Sequence, residues 1–136
     1  MKGLLLGLLA FGLINVPTQL CEGFMPENDM QVSVGDKKAN TMTEKRFNQI
    51  IDKVVKVYAP VIKKRGGKLV LKRKWKNKTV NASAQRILFW YVVNMYGGLA
   101  RHEAVTDDAF ALVVCHEVGH HIGGAPKISS SKWASN

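Results

Sequence analysis

The sequence predicts an α+β fold in which a small, mainly antiparallel sheet packs against two helices. Three observations indicate this class. Apolar residues recur at helical spacing from Phe47 to Ile62, and a second helical stretch runs from Thr106 to Ile122. Between them, short runs from Lys68 to Tyr96 are rich in β-branched and aromatic residues, as strands are. The 136 residues, 46% of them hydrophobic, have room for one domain.

The first forty residues are predicted to lie outside that domain. Met1-Lys2 precedes an apolar run from Gly3 to Ile14, a pattern typical of secretory signal peptides, so we interpret residues 1–20 as one. The run is shorter than the roughly twenty residues of a membrane span. We expect a secreted or periplasmic protein; the alternative is membrane contact through an uncleaved amino-terminal anchor. Residues 21–40, polar and interrupted by glycine and proline, are predicted to be a linker or a mature amino-terminal extension.

Residues 41–136 are predicted to hold the domain, which begins with an amphipathic helix. Thr43 is placed to cap this helix, and Gly66-Gly67 end it. Pro60 is expected to kink or thin its last turn. The predicted buried side is an apolar series at helical spacing: Phe47, Ile50, Ile51, Val54, Val55, Tyr58 and Ile62. We expect packing, and no chemistry, from this helix.

Three extended segments are predicted after that helix. The first runs from Lys68 to about Trp75, the second from Thr79 to Gln85, and the third from Ile87 to Tyr96. Gly97-Gly98 has the composition of a two-residue hairpin turn. It is therefore expected to return the chain along Leu99–His102.

The second predicted helix carries residues suited to metal chemistry. Thr106 is placed to cap it, and Gly123-Gly124 stop it. His116 and His120 are four residues apart, so one helix face can offer both imidazoles to a single ion. Glu117 lies about a quarter-turn away, close enough to act on a water held by that ion.

His-Glu-x-x-His, at residues 116–120, is the arrangement in which two histidines bind Zn²⁺ and the glutamate acts as general base. Neutral imidazole suits zinc, and a catalytic zinc with three protein ligands keeps a fourth position for water. The alternative is an ordinary amphipathic helix with polar groups on its outer side. Cys115 comes one helical step before His116 and points elsewhere, so we interpret it as a small buried residue and not a ligand.

The formal net charge is +10, and fifteen of the twenty basic residues fall between Lys37 and Lys78. Only Glu44 and Asp52 oppose them in that block. Such a block could attract nucleic acid, anionic lipid or an acidic polymer, although a solvated helix face followed by a solvated strand face is the simpler interpretation. No nucleic-acid fold signature accompanies the charge, so no nucleic-acid partner is expected.

Three segments together resemble the gluzincin metallopeptidases, most closely the branch of the HtpX heat-shock protease and the prenyl-protein proteases. They are Val80–Ala84, Gly97–Leu99 and Phe110–His120, within a span of roughly residues 79–126. In such peptidases the edge strand holds an extended substrate by main-chain hydrogen bonds. The resemblance implies that a peptide or protein substrate binds at Asn81, Ala82, Ser83 and Ala84. An internal strand with incidental small residues is the alternative.

The chain departs from this family at the third zinc ligand, which the family takes from a glutamate on a later helix. After His121 the sequence contains no Asp, Glu, His or Cys. Three explanations stay open. The chain is a piece of a longer protein, so that residues 41–136 are a partial metallopeptidase domain; an upstream residue such as His102 or Glu103, or His121 itself, supplies the ligand; or the chain is an inactive relative.

The expected function is therefore that of a zinc-dependent metalloendopeptidase, incomplete in this chain, in which Glu117 activates a zinc-bound water. His116 and His120 would bind the ion. The alternative is an exported, non-catalytic module whose basic face binds an anionic polymer or a membrane surface.

Overall fold

The computed structural model describes residues 19–20 and 29–123. Its elements in chain order are β1 (Gln19–Leu20), α1 (Glu44–Lys64), β2 (Lys68–Lys74), β3 (Ala82–Ile87), β4 (Trp90–Tyr96), α2 (Gly97–Arg101) and α3 (Asp107–Ile122). The predicted α+β class is confirmed. The signal-peptide prediction, apart from its last two residues, lies outside the described residues. Among the helices described, none is long and apolar enough to cross a membrane.

The four strands form one sheet in the order β1-β3-β4-β2. Two of its three pairings, β1 with β3 and β3 with β4, are antiparallel as expected. The third is parallel, with Lys68 of β2 opposite Trp90 of β4. The connection after β2 passes β4, so that β3 pairs with the other edge of β4. β3 runs antiparallel to β2, and β4 is antiparallel to β3, so β4 is parallel to β2. The central strand β4 is buried without interruption from Tyr91 to Met95.

The hairpin turn lies between β3 and β4. β3 continues to Ile87, which pairs with Trp90, and the two residues between them make the turn. Leu88 adopts a φ of 54° there, in the left-handed region that tight hairpin turns use. The predicted second and third segments therefore become the two arms of one hairpin.

The prediction of a hairpin turn at Gly97-Gly98 is wrong, because these residues begin the short helix α2. A Cβ atom on Gly97 would lie 1.9 Å from the carbonyl oxygen of Trp75. One on Gly98 would lie 1.9 Å from that of Lys78. Glycine is required here for close backbone packing between α2 and the β2–β3 connection, and not for a turn.

The two long helices begin as predicted. The hydroxyls of Thr43 and Thr106 each accept a hydrogen bond from a backbone N–H three residues further on, which satisfies one otherwise unpaired donor at each helix start. Pro60 lies within the last two turns of α1, and Gly66, with a φ of 75°, follows the helix end. Local sequence signals therefore suffice to place both helices.

Helices α1 and α3 run side by side in the same direction on one face of the sheet. Arg46 and Asp107 form an ion pair near their amino ends. Near their carboxyl ends, the Arg65 guanidinium donates to the carbonyl oxygen of Ile122 over 2.9 Å. The core between helices and sheet is filled by the largest fully buried side chains: Phe47, Phe110, Ile51, Ile62, Met95, Val93, Val114 and Val118.

Residues 30–40, predicted to belong to a linker, pack against the domain. Val32 is buried, and its N–H donates to the carbonyl oxygen of Lys78. The Asn40 side-chain amide donates to the carbonyls of Ala100 and Val105 over 2.8 and 2.7 Å. Val32 and Asn40 therefore anchor this segment, and residues 33–38 between them are exposed.

Candidate metal centre

The helix α3 is unbroken through the His-Glu-x-x-His motif. It runs from Asp107 to Ile122, and the N–H of Gly123 donates to the carbonyl oxygen of Gly119 over 2.7 Å. His116 and His120 therefore lie one turn apart, as helical spacing requires. Their ring centroids are 4.5 Å apart and their planes make an angle of 84°.

Glu117 joins these two histidines in a compact donor group. One ligand atom from each of His116, Glu117 and His120 lies within 4.8 Å of the others. Among the described residues, this is the one group of three or more histidine, cysteine or acidic side chains close enough to hold a metal ion. Two imidazole nitrogens and a carboxylate oxygen are donors that divalent transition metals accept. The group could therefore bind a metal ion.

The carboxyl group of Glu117 lies in an apolar environment. The residue is 8% exposed on the side of α3 that faces the core. Burial disfavours its charged form and raises the pKa of Glu117 from 4.5 to about 7. A carboxyl group with such a pKa can both accept and return a proton near neutral pH.

The two histidines differ in exposure, since His116 is exposed and His120 is half-buried. Burial lowers the pKa of His120, and the neighbouring His116 lowers it further. A lowered pKa favours the neutral imidazole, which is the form that coordinates metal ions. The lowered pKa of His120 therefore favours metal coordination by this residue.

His121 does not join the donor group. Its Nε2 atom lies 3.1 Å from the carbonyl oxygen of Val92, and its ring packs edge-on against Tyr91 with the centroids 5.2 Å apart. Burial is the main cause that lowers the pKa of His121. Its imidazole contacts the sheet and does not face the other two histidines.

His102 and Glu103, the other upstream candidates for a third ligand, lie elsewhere. They line a pocket of about 220 Å³ together with Asp36 and Lys38. This pocket adjoins the loop before α3. His116 lies ten residues into the helix beyond Thr106, which is about 15 Å along the axis. The structure therefore does not bring these candidates to the donor group.

Cys115 also stays out of the donor group. It is a free, half-buried thiol that packs against the core, in line with its interpretation as a small packing residue. Cys21 lies outside the described residues.

The four predicted substrate-binding residues lie at the beginning of β3, the strand against which α3 packs. Asn81 is exposed, while Ala82 and Ala84 turn their methyl groups into the core. On its outer edge β3 pairs with β1 only at Gln85 and Arg86. In the part of the chain that the structure describes, no strand pairs with the outer edge from Asn81 to Ala84.

A buried polar contact beneath this edge was not expected from the sequence. The Asn94 side chain, 6% exposed, donates to the hydroxyl of Ser83 over 3.2 Å. The two residues are directly opposite each other on β4 and β3. The sequence feature that indicates this contact is the single asparagine within the apolar run of β4. A buried polar residue in a central strand needs a hydrogen-bond partner.

Comparisons with known proteins give no match from which the role of this site could be inferred. No protein-family model, curated protein or solved structure matches the chain. The resemblance to gluzincin metallopeptidases therefore stays a prediction.

Proposed function

We propose that this chain is a zinc-dependent metalloendopeptidase or the zinc-binding part of one. The observation that supports it is the grouping of His116, Glu117 and His120 within 4.8 Å on one continuous helix. The helix packs against β3, and within the described residues no strand pairs with the outer edge of β3 from Asn81 to Ala84. A metal site on a helix that packs against such a strand suits hydrolysis of an extended peptide.

Zinc is the proposed ion because of the donor set. His116 and His120 would hold it through neutral imidazole nitrogens, the donors zinc favours alongside thiolate and carboxylate. When bound, zinc lowers the pKa of a coordinated water and polarises a carbonyl group.

Glu117 is the proposed general base and acid. Beside a zinc ion held by His116 and His120, its carboxylate would take a proton from the coordinated water and pass it to the leaving amine.

The outer edge of β3 from Asn81 to Ala84, with which no described strand pairs, is the proposed substrate site. A peptide laid along Asn81–Ala84 would add a strand to the sheet through main-chain hydrogen bonds. Ala82 and Ala84 direct their small side chains inward, so none of their atoms obstructs that edge. The side-chain oxygen of Asn81 accepts a hydrogen bond from the Ala82 N–H over 2.8 Å, so a bound segment would use the other main-chain groups of Ala82–Ala84.

Zinc affinity is expected to be low. Within the described residues the group offers three donors, and one of these is the proposed base. Two histidines alone hold zinc much less firmly than a complete set of three ligands. We therefore expect slow peptide hydrolysis from this chain unless a further ligand is supplied.

Zinc titration by calorimetry, followed by hydrolysis of fluorescein-labelled casein, tests the proposal. We expect one zinc ion per chain, lost in His116→Ala and in His120→Ala and retained in Glu117→Gln. Any casein turnover should disappear on addition of chelator and in Glu117→Gln. Failure of the unaltered chain to bind zinc, or turnover that persists in Glu117→Gln, would contradict the proposal.

An exported, non-catalytic basic module is the second candidate. The observation that favours it is the run of exposed lysines along α1, among them Lys53, Lys56, Lys63 and Lys64. Such a module would be retained on an anionic matrix in a salt-sensitive manner that chelator does not change. It would also bind no zinc, so the calorimetric titration separates the two functions.

A further inference from the structure

The turn between β3 and β4 exposes three consecutive large apolar side chains. Leu88, Phe89 and Trp90, called here the hairpin tip, are 62%, 52% and 44% exposed. The rings of Phe89 and Trp90 meet edge to face with their centroids 5.2 Å apart. In the described part of the chain, the other exposed large apolar residues are isolated in sequence. The hairpin tip is therefore a continuous apolar surface that the fold leaves in water.

The composition of this turn is not explained by folding. A two-residue hairpin turn is most stable with Asn or Gly where φ is positive. Leu88 occupies such a position with a φ of 54°, which is unfavourable for a leucine. A smaller, polar residue would form the turn with less strain and less exposed apolar surface. The hairpin tip thus has the character of a binding element.

Basic residues are concentrated in the segments next to the hairpin tip. The Lys68 N–H donates to the carbonyl oxygen of Phe89 over 2.8 Å, and Arg86 bonds to the carbonyl oxygen of Leu88. Lys63, Lys64 and Arg65 lie in the last turn and cap of α1, immediately before the loop to Lys68. The sequence has no Asp or Glu between 61 and 72 or between 84 and 94. The first-turn acids of α1 and α3 lie at the opposite ends of those helices.

Strand β1 pairs with β3 close to the hairpin tip. β1 is antiparallel to β3, with Gln19 opposite Arg86 and Leu20 opposite Gln85. Because β3 runs toward the hairpin tip, β1 runs away from it. Gln19, opposite Arg86, therefore lies nearer the hairpin tip than Leu20 does.

We infer that the hairpin tip inserts into the surface of an anionic lipid bilayer. Tryptophan and phenylalanine side chains partition into the boundary between headgroups and acyl chains. Lysine and arginine near that boundary are attracted by acidic headgroups. The tip supplies the apolar contact, and the neighbouring basic residues supply the preference for negative charge. This inference goes beyond the proposed function and does not depend on metal binding.

This mode of docking fixes which side of the domain faces the lipid. The carboxyl end of α3 is bonded to the same end of the molecule, through Arg65 to Ile122 and through His121 to Val92. The last turn of the motif helix would therefore lie close to the bilayer surface.

Binding of the full chain to vesicles measures the contribution of the hairpin tip. Vesicles of phosphatidylcholine, with and without phosphatidylglycerol, are sedimented with the unaltered chain, Phe89→Ser and Leu112→Ser. Leu112 is 70% exposed on α3 and provides a matched control. We expect Phe89→Ser to weaken partitioning into anionic vesicles about tenfold, because one aromatic ring leaves the apolar phase. Leu112→Ser should leave partitioning unchanged, and neutral vesicles should bind far less.

A second measurement reports on the hairpin tip alone. Brominated acyl chains quench a tryptophan only where its indole enters the bilayer, and Trp90→Phe removes one of the three tryptophans of the chain. We expect the quenched part of the fluorescence to vanish in Trp90→Phe. Vesicle binding without quenching of Trp90 would overturn the inference and leave the amino-terminal apolar run or the charges as the binding element. Self-association that Phe89→Ser abolishes, without vesicle binding, would also overturn it, in favour of a second copy of the chain.

Discussion

The Nε2 atom of His121 lies 3.1 Å from the carbonyl oxygen of Val92, so the adjacent residues His120 and His121 have different surroundings. His120 faces His116 across one helical turn, while His121 is directed about 100° further round, into the sheet. The contact between His121 and Val92 adds to the core packing of Phe110, Val114 and Val118, which sets the rotation of α3 against the sheet.

The two adjacent histidines are predicted to respond differently to replacement. His120→Ala should abolish zinc binding and change the free energy of unfolding little. His121→Ala should retain one zinc ion per chain and lose about 1 kcal/mol of stability, because the contacts of its ring with Val92 and Tyr91 are lost. Zinc calorimetry and urea unfolding of the two variants test this directly. Loss of zinc from both variants alike would show that His121 is itself a ligand.

The stability of the metal-free chain should depend on the ionisation of Glu117. Its folded-state pKa of about 7 lies above the ordinary 4.5, so between these values the unfolded chain releases a proton that the folded chain keeps. The free energy of unfolding therefore falls as pH rises from 4.5 to 7 and stays lowered above 7. Below 4.5 both states are protonated and the group contributes nothing.

Glu117→Gln should remove this pH dependence. In the presence of chelator, we expect the variant to be more stable than the unaltered chain at pH 8 by up to about 3 kcal/mol, and nearly equal to it at pH 4. Urea unfolding at the two pH values gives both differences. Glu103→Gln, at an exposed acid, is the control and should change neither value appreciably. An equal gain from Glu117→Gln at pH 4 and pH 8 would rule out ionisation as its cause.

Gly119 can be replaced by alanine without disturbing the motif. A Cβ atom built on it meets no atom within 4 Å, and its backbone is helical. We expect Gly119→Ala to stabilise the fold by about 1 kcal/mol, the usual difference in helix propensity, and to leave zinc stoichiometry unchanged. Gly98→Ala is the contrasting variant, since its Cβ would lie 1.9 Å from the Lys78 carbonyl oxygen. Thermal unfolding should show a gain for the first and a marked loss for the second.

Arg101 should be the most costly arginine to replace. It is 2% exposed, and its guanidinium donates to the carbonyl oxygens of Val32, Trp75 and Asn77. Arg101→Met leaves these acceptors without a charged donor, and we expect a loss of about 3 kcal/mol or more. Arg46→Met, which breaks a half-exposed ion pair, should lose less than about 1 kcal/mol. Urea unfolding of both variants compares them, and equal losses would contradict the role given to Arg101.

The sequence predicted the parts of the fold that are encoded locally. The capping hydroxyls of Thr43 and Thr106 indicate where two helices begin. The spacing of the apolar residues in α1 indicates which face of the helix is buried. The turn at Leu88-Phe89 was missed because it contains no Asn or Gly. Gly97-Gly98 was misread as that turn because a glycine needed for close packing and a glycine needed for a turn look alike in sequence.

Long-range relationships could not be read in the same way. The parallel pairing of β2 with β4 depends on which side of β4 the connecting loop crosses, and periodicity carries no such information. The packing of Asn40 and Val32 depends on partners some sixty to seventy residues away. In the site, helical spacing was enough to bring His116 and His120 together. It did not give the burial of Glu117 or the bond from His121 to Val92, which depend on how α3 rests on the sheet.

The hydrogen bonds of Arg101 can form only after most of the sheet has been synthesised. The carbonyl groups of Trp75 and Asn77, in the loop between β2 and β3, are held by a side chain that leaves the ribosome some twenty-five residues later. Until Arg101 has emerged, the carbonyl groups of this loop lack these hydrogen bonds, and β2 is held only by its contacts with α1. A nascent chain stalled when residue 77, but not residue 101, has left the ribosome should therefore be easily cleaved by added protease in this loop. One stalled after α3 has emerged should resist.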